Sequence, residues 1–312
     1  MNVKRLIAGN VLLACMLGLL WYLAHLDAVP EPSSSRAIDA SFAVPAGTPY
    51  EGMPASPGQP SYAKLTESLA NPLERAQDLR SLYELYKSSN DPVERNIAYR
   101  AWSACFPAFI APQGESPTLE SVTRALPRNA SNNAERIEAY RSLLGRCKNF
   151  FEIPRDKLLA ETRQLNNEAL AGQADTPGER ALRTLADGNT SEAAEAARAV
   201  VASQDAFAIR SLQDFMYKYL SSRTDALPEQ PAARPDLRAL AFSLAACELG
   251  MECGAGSLKA LQLCANLGQC SGSVQERYLQ SLSNQAERDI AQKERDLVVG
   301  AVRNGDYRAL GL

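Results

Sequence analysis

The sequence predicts an all-α protein: an irregular multi-helix bundle or a stack of helical hairpins, stapled by disulfides and set behind an N-terminal transmembrane helix. Three observations lead there. Cap-and-proline punctuation recurs at helix starts, apolar residues recur at helical spacing, and no body segment shows sustained alternation with β-branched enrichment. No Asn-Gly or Asp-Gly turn joins two strand-like runs either.

The helix starts are the sharpest local signal. Asn71-Pro72-Leu73-Glu74, Asp91-Pro92-Val93-Glu94 and Thr176-Pro177-Gly178-Glu179 each offer a capping side chain, then a proline whose missing N–H is harmless, then a glutamate at the third helical position. Ser116-Pro117 and Ile153-Pro154 are weaker versions of the same punctuation. Periodicity agrees. Ile137, Tyr140, Leu144, Cys147 and Phe151 fall on one helical stripe, Ala208, Leu212, Phe215 and Tyr219 on a second, and Ile97, Ala101 and Cys105 on a third. About ten to twelve helices of ordinary length are expected, joined by short loops. No repeat period is regular enough for a tetratricopeptide-like array.

At the front, Lys4 and Arg5 precede Leu6 to Leu26, a run that is apolar apart from Asn10 and His25. As a helix it would be about 31 Å long, against roughly 30 Å of bilayer hydrocarbon. Basic residues before the span, with none close behind it, keep the N-terminus (residues 1–5) cytoplasmic and send the remainder outward. The expected location is therefore a bacterial inner membrane, crossed once by residues 6–26, with the body in the periplasm. Two other fates compete, a removed signal peptide and a lipoprotein signal ending at Cys15. The first lacks a good A-x-A site, and the second runs on into large apolar residues instead of polar chain. All three export the body.

Residues 27–61 carry Pro30, Pro32, Pro45, Pro49, Pro54, Pro57 and Pro60 among serines and glycines, and read as a disordered linker. As a coil it would reach about 30 to 35 Å. A helical body follows at 62–222, then a second break at 223–235 containing Pro228, Pro231 and Pro235, then a Cys-rich helical subdomain at 236–312.

Composition excludes several functions. Basic and acidic residues, 33 against 36, are interspersed, which leaves no electrostatic footprint for nucleic acid. The single histidine is His25, inside the apolar run. The body therefore has no Ser-His-Asp triad, Cys-His dyad, zinc helix or other His-ligated metal. No cofactor, metal or catalytic residue is expected. Paired carboxylates need no histidine, so Glu84, Glu120, Glu138 and Glu248 are the residues to inspect for an alternative, a carboxylate-dependent hydrolase of cell-wall polysaccharide. The plainer reading places them on solvated faces and caps. Ser257-Leu258-Lys259 has the wrong spacing for a Ser-Lys dyad. Tyr83, Tyr86, Tyr99 and Trp102, with Phe215, Tyr217 and Tyr219, are either core stripes or the lining of a groove for a peptide or glycan.

Beyond Cys15 the cysteines are Cys105, Cys147, Cys247, Cys253, Cys264 and Cys270, an even set in a compartment that permits disulfides. Cys105 and Cys147 each lie on their own helix's apolar stripe, so joining them is expected. The other four form a small duplication, Cys247-Glu-Leu-Gly-Met-Glu-Cys253 and Cys264-Ala-Asn-Leu-Gly-Gln-Cys270, in which Gly250 and Gly268 suit left-handed helix stops. If 257–267 is helical, Cys253 and Cys264 stand roughly 16 Å apart, too far for a bond that needs about 7 Å. Local closure, Cys247 with Cys253 and Cys264 with Cys270, is preferred over the crossed alternative. Zinc favours cysteine pairs closer together, and no C-x-x-C redox motif occurs.

These four cysteines and the tail Ala301-Val302-Arg303-Asn304-Gly305-Asp306-Tyr307-Arg308-Ala309-Leu310-Gly311-Leu312 resemble a group of uncharacterised exported bacterial proteins. That group has a C-x5-C-x10-C-x5-C core and a terminal Gly-Asp-aromatic segment. The resemblance covers only the C-terminal portion and implies export, helices and disulfides, with no activity to carry over. The expected role is a noncatalytic binding or scaffolding component of the cell envelope, with another envelope protein as its partner.

Overall fold

The computed structural model describes residues 71–105, 118–124, 126, 130–223 and 234–312. The N-terminal segment, the 27–61 linker, Cys15 and Ser116-Pro117 lie outside the described residues. Among those described, every regular element is helical, with fourteen α-helices and two 3-10 turns. In chain order these are α1 (Asn71–Arg75), α2 (Leu79–Tyr86), α3 (Pro92–Ala104), α4 (Leu119–Thr123), α5 (Asn133–Cys147), α6 (Arg155–Leu170) and α7 (Pro177–Ala186). Then come α8 (Thr190–Ser203), α9 (Ala206–Ser211), α10 (Gln213–Ser221), α11 (Pro235–Glu248), α12 (Leu258–Leu267), α13 (Val274–Gln280) and α14 (Gln285–Asn304). The 3-10 turns are Lys148–Glu152 and Arg308–Leu310.

There are more helices than the periodicity suggests because some stripes cross a break. Ala208, Leu212, Phe215 and Tyr219 are all buried, yet the chain ends α9 and begins α10 at Leu212. In α5 the buried face is Ala139, Leu143, Arg146 and Cys147, while Ile137, Tyr140 and Leu144 are only partly covered. The core face is thus turned about one position from the expected stripe, because Arg146 enters the interior as a hydrogen-bond donor.

The cap signals divide in the same way. Thr176 and Glu179 close a full capping box on α7, and Asp91 caps α3 through the Val93 and Glu94 amides. Asn71 and Glu74 are buried and reach across the fold, with no capping bond to their own helix among the described residues. Asn71 donates to the Gly250 carbonyl and accepts from the Glu252 amide. Glu74 accepts from the Lys259 amide at 2.8 Å, capping the N-terminus of α12.

Two large cores result. One joins α7 to α10 with α11, α14 and the C-terminal residues, around Phe215, Phe242, Met216 and Val298. The other joins α1, α2, α3, α5 and α6 with Leu258, Cys264 and Ala265 of α12. Helix α11 is buried on nearly every side, packing against α9, α10 and α14, as an apolar-all-round sequence requires. Residues on either side of the proline-rich 223–235 segment therefore share cores. Helix α12 is also gripped at its far end, where Asn132 donates to the Gly268 carbonyl and Arg136 to those of Ala265 and Asn266. The C-terminal tail is structural. Gly305 adopts the left-handed conformation that stops α14, Asp306 accepts from the Ala309 amide, and Leu310 and Leu312 enter the core.

A tight joint links α7 to α9. The Gly178 amide donates to Ser211 Oγ at 3.0 Å, and a Cβ at 178 would stand 2.2 Å from the Ser211 carbonyl oxygen. Gly178→Ala is expected to lower stability by about 1 to 3 kcal/mol through overpacking. At Gly145, within α5, a Cβ would meet nothing within 4 Å. There Gly145→Ala should raise stability by about 0.5 to 1 kcal/mol. Denaturant unfolding of the two variants checks both signs.

Candidate functional site

The cysteines come together in three pairs. Cys105 joins Cys147 across a sequence separation of 42, with Cα atoms 5.6 Å apart and both residues in the core that α1, α2, α3, α5 and α6 share with α12. Cys247 joins Cys253, and Cys264 joins Cys270, each over a separation of 6. Gly250 and Gly268, with φ of 107° and 73°, make the two return turns. Three buried arginines tie the surrounding loops: Arg146 donates to the carbonyls of Glu74 and Gly256, Arg277 to those of Gly272 and Ala260, and Arg238 to that of Ala309. These groups are structural.

The carboxylates singled out above do not converge. Glu84, Glu120, Glu138 and Glu248 are all exposed, on α2, α4, α5 and α11. Glu84 pairs with Lys87, the C-cap of α2, and Glu138 with Arg141 in α5, each three residues along the chain. The aromatic residues pack inward. Tyr83, Trp102 and Phe150 form a trio with ring centroids 4.9 to 5.7 Å apart, and Phe215 stacks on Tyr219 at 5.2 Å. Tyr86 and Tyr99 are partly buried against the same core, and Tyr217 is 45% exposed. The hydroxyls of the two buried tyrosines find partners, Tyr83 donating to Glu161 at 3.1 Å and Tyr219 accepting from Arg223 at 2.6 Å.

The feature with the chemistry of a binding site is a polar cleft of about 220 Å³, where α3, α7, α9, α10, α11, α12 and α13 meet. Three cations line it: Arg100 from α3, Arg210 from α9 and Lys259 from α12. Arg100 lies deep in the protein but leaves 30% of its side-chain surface accessible, because that surface faces the cleft. Its Nε donates to Asn96 at 2.6 Å, and its guanidinium stands 5.1 Å over the Phe207 ring. Burial first, and the neighbouring Arg210 second, push the Arg100 guanidinium below its ordinary value, against the opposing pull of Glu179 and Glu74. Arg210 is anchored by Glu74 at 3.4 Å, and the Lys259 ammonium rests 5.9 Å from the Tyr278 ring.

The lining anions are Glu179 and Asp214. Glu179 Oε2 accepts from the Thr176 amide and hydroxyl and from Asn96, while Oε1 stands 3.8 Å from Arg100. Asp214 is exposed. A second hollow, beside Arg146, is lined by Gln77, Ser142 and Lys148, and its arginine is engaged with backbone carbonyls. No group of three His, Cys, Asp or Glu is placed to hold a metal among the described residues.

Sequence reasoning does not find this cleft, because its charged residues come from positions between 74 and 259 and share no motif or spacing. The fold and site define an all-α, disulfide-stapled body with a cation-lined cleft at a helix junction. No protein-family model, curated protein or solved structure matches the chain.

Proposed function

We propose that the protein is a membrane-tethered extracytoplasmic helical body, held at a bacterial inner membrane by residues 6–26, that acts as a noncatalytic binding or scaffolding component of the cell envelope. The observation that carries this reading is the pairing of Cys105, Cys147, Cys247, Cys253, Cys264 and Cys270 in three disulfides. Disulfides persist in oxidising compartments and are rare where thiol reductants dominate. Lys4 and Arg5 ahead of an apolar run long enough to span supply the orientation. The binding role rests on the polar cleft and on the dispersal of the candidate carboxylates over exposed helix faces.

Proteinase treatment of spheroplasts that carry the full chain tests the placement. The body is expected to be attacked without lysis, and to remain with the membrane fraction after a salt wash. A body shielded until lysis overturns the export reading. A full-length body released with the periplasmic contents, its N-terminus lying beyond residue 26, overturns the tether.

A further inference from the structure

We infer that the cleft between α3, α9 and α12 is an oxyanion-binding site, which takes a small ligand through a phosphoryl or carboxylate group held by Arg100, Arg210 and Lys259. Arg100 has one hydrogen bond, from Nε to Asn96, and its Nη donors have none among the described residues. Arg210 contacts Glu74 and Met251 through Nη1 alone, which leaves Nε and Nη2. Lys259 Nζ forms no hydrogen bond or ion pair among the described residues and has only the Tyr278 ring beside it.

The two serine hydroxyls of the cleft are, by contrast, already engaged. Ser211 Oγ donates to the Ala208 carbonyl and accepts from the Gly178 amide, and Ser243 donates to Gln213. Glu179 Oε2 is occupied by its capping box, and Glu74 pairs with the Arg210 guanidinium and accepts from the Lys259 amide. Glu74, Glu179 and the exposed Asp214 balance the three cations in formal charge, with Glu179 Oε1 at 3.8 Å from Arg100. The Arg100 Nη groups, Arg210 Nε and Nη2 and Lys259 Nζ nevertheless keep donors with no hydrogen-bond acceptor among the described residues, which an acceptor-rich anion matches. Two guanidinium forks with an ammonium suit a phosphoryl or carboxylate group, where charge-assisted bonds are strongest. The volume, about 220 Å³, corresponds to about seven waters, which admits a small molecule carrying the group.

The inference deepens the binding role proposed above, but its test is independent of compartment. Full-length, disulfide-intact protein in detergent is titrated with inorganic phosphate, glucose 6-phosphate and succinate, with sodium chloride at matched ionic strength as the control. Binding is followed by calorimetry and by the rise in unfolding temperature. A saturable response to a phosphoryl probe, to succinate or to both, beyond that to chloride, is the expected result and identifies the group. Lys259→Met removes the ammonium but keeps the amide that Glu74 caps, and should weaken binding about tenfold to a hundredfold. Arg100→Gln should do the same, while Lys293→Met on the exposed face of α14 should change nothing. No response beyond chloride to any probe overturns the proposal, and so does an undiminished response in Lys259→Met. Neither failure touches the spheroplast result.

Discussion

Replacing Glu74 with alanine is expected to lower the stability of the disulfide-intact protein by about 3 to 5 kcal/mol, the cost of breaking a buried charge pair from one side. Glu74 is 3% exposed and holds two groups from distant parts of the chain, the Arg210 guanidinium and the Lys259 amide. Its removal leaves a mostly covered cation and takes the acceptor from the Lys259 amide, while Ser257 still caps α12 through the Ala260 amide. Glu74→Gln keeps the volume and one acceptor, and should cost about 1 to 3 kcal/mol. Urea unfolding checks both variants. In a double-mutant cycle with Arg210→Met the coupling should be on the order of 1 to 3 kcal/mol. Additive effects would show that the pair is a proximity without a shared energy.

Loss of the long disulfide should have an effect of similar size. Cys105 and Cys147 enclose a loop spanning a separation of 42, so the double substitution Cys105→Ser and Cys147→Ser should cost about 3 to 4 kcal/mol by chain entropy. Each short disulfide spans only 6, for which the same reasoning gives about 2 kcal/mol. The ordering is the informative part. Denaturant midpoints for the three pairwise serine variants should place the Cys105–Cys147 variant lowest. The local pairs serve mainly to fix turns that Gly250 and Gly268 already permit.

These two expectations mark what is legible in the sequence and what is not. The helical class follows from local chemistry: Thr176 with Glu179, and Asp91 with its following proline, act within one turn of chain. The local disulfides are accessible only in part: a helix over 257–267 excludes Cys253 with Cys264 but leaves the crossed pairing open beside the preferred local one, and the structure has the local pairs. Asn71 and Glu74 show the limit. Their pattern matches a capping box, but tertiary partners at Gly250, Glu252, Arg210 and Lys259 outcompete the local bonds. No spacing rule reveals a partner that far along the chain. The rotated face of α5 has the same origin, because a buried arginine does not register as apolar in any periodicity. The cleft is hidden for a third reason: arginines and lysines are scattered through every exposed face of a helical protein. Only packing shows which three meet at one hollow.

The central claim is that an exported helical body is locked by three specific disulfides. The most direct test is non-reducing peptide mapping of protein purified from cell envelopes and alkylated at lysis. The account predicts linked peptides joining Cys105 to Cys147, Cys247 to Cys253 and Cys264 to Cys270, with no alkyl group on any of the six. Alkylated thiols at these positions in the native material would contradict it.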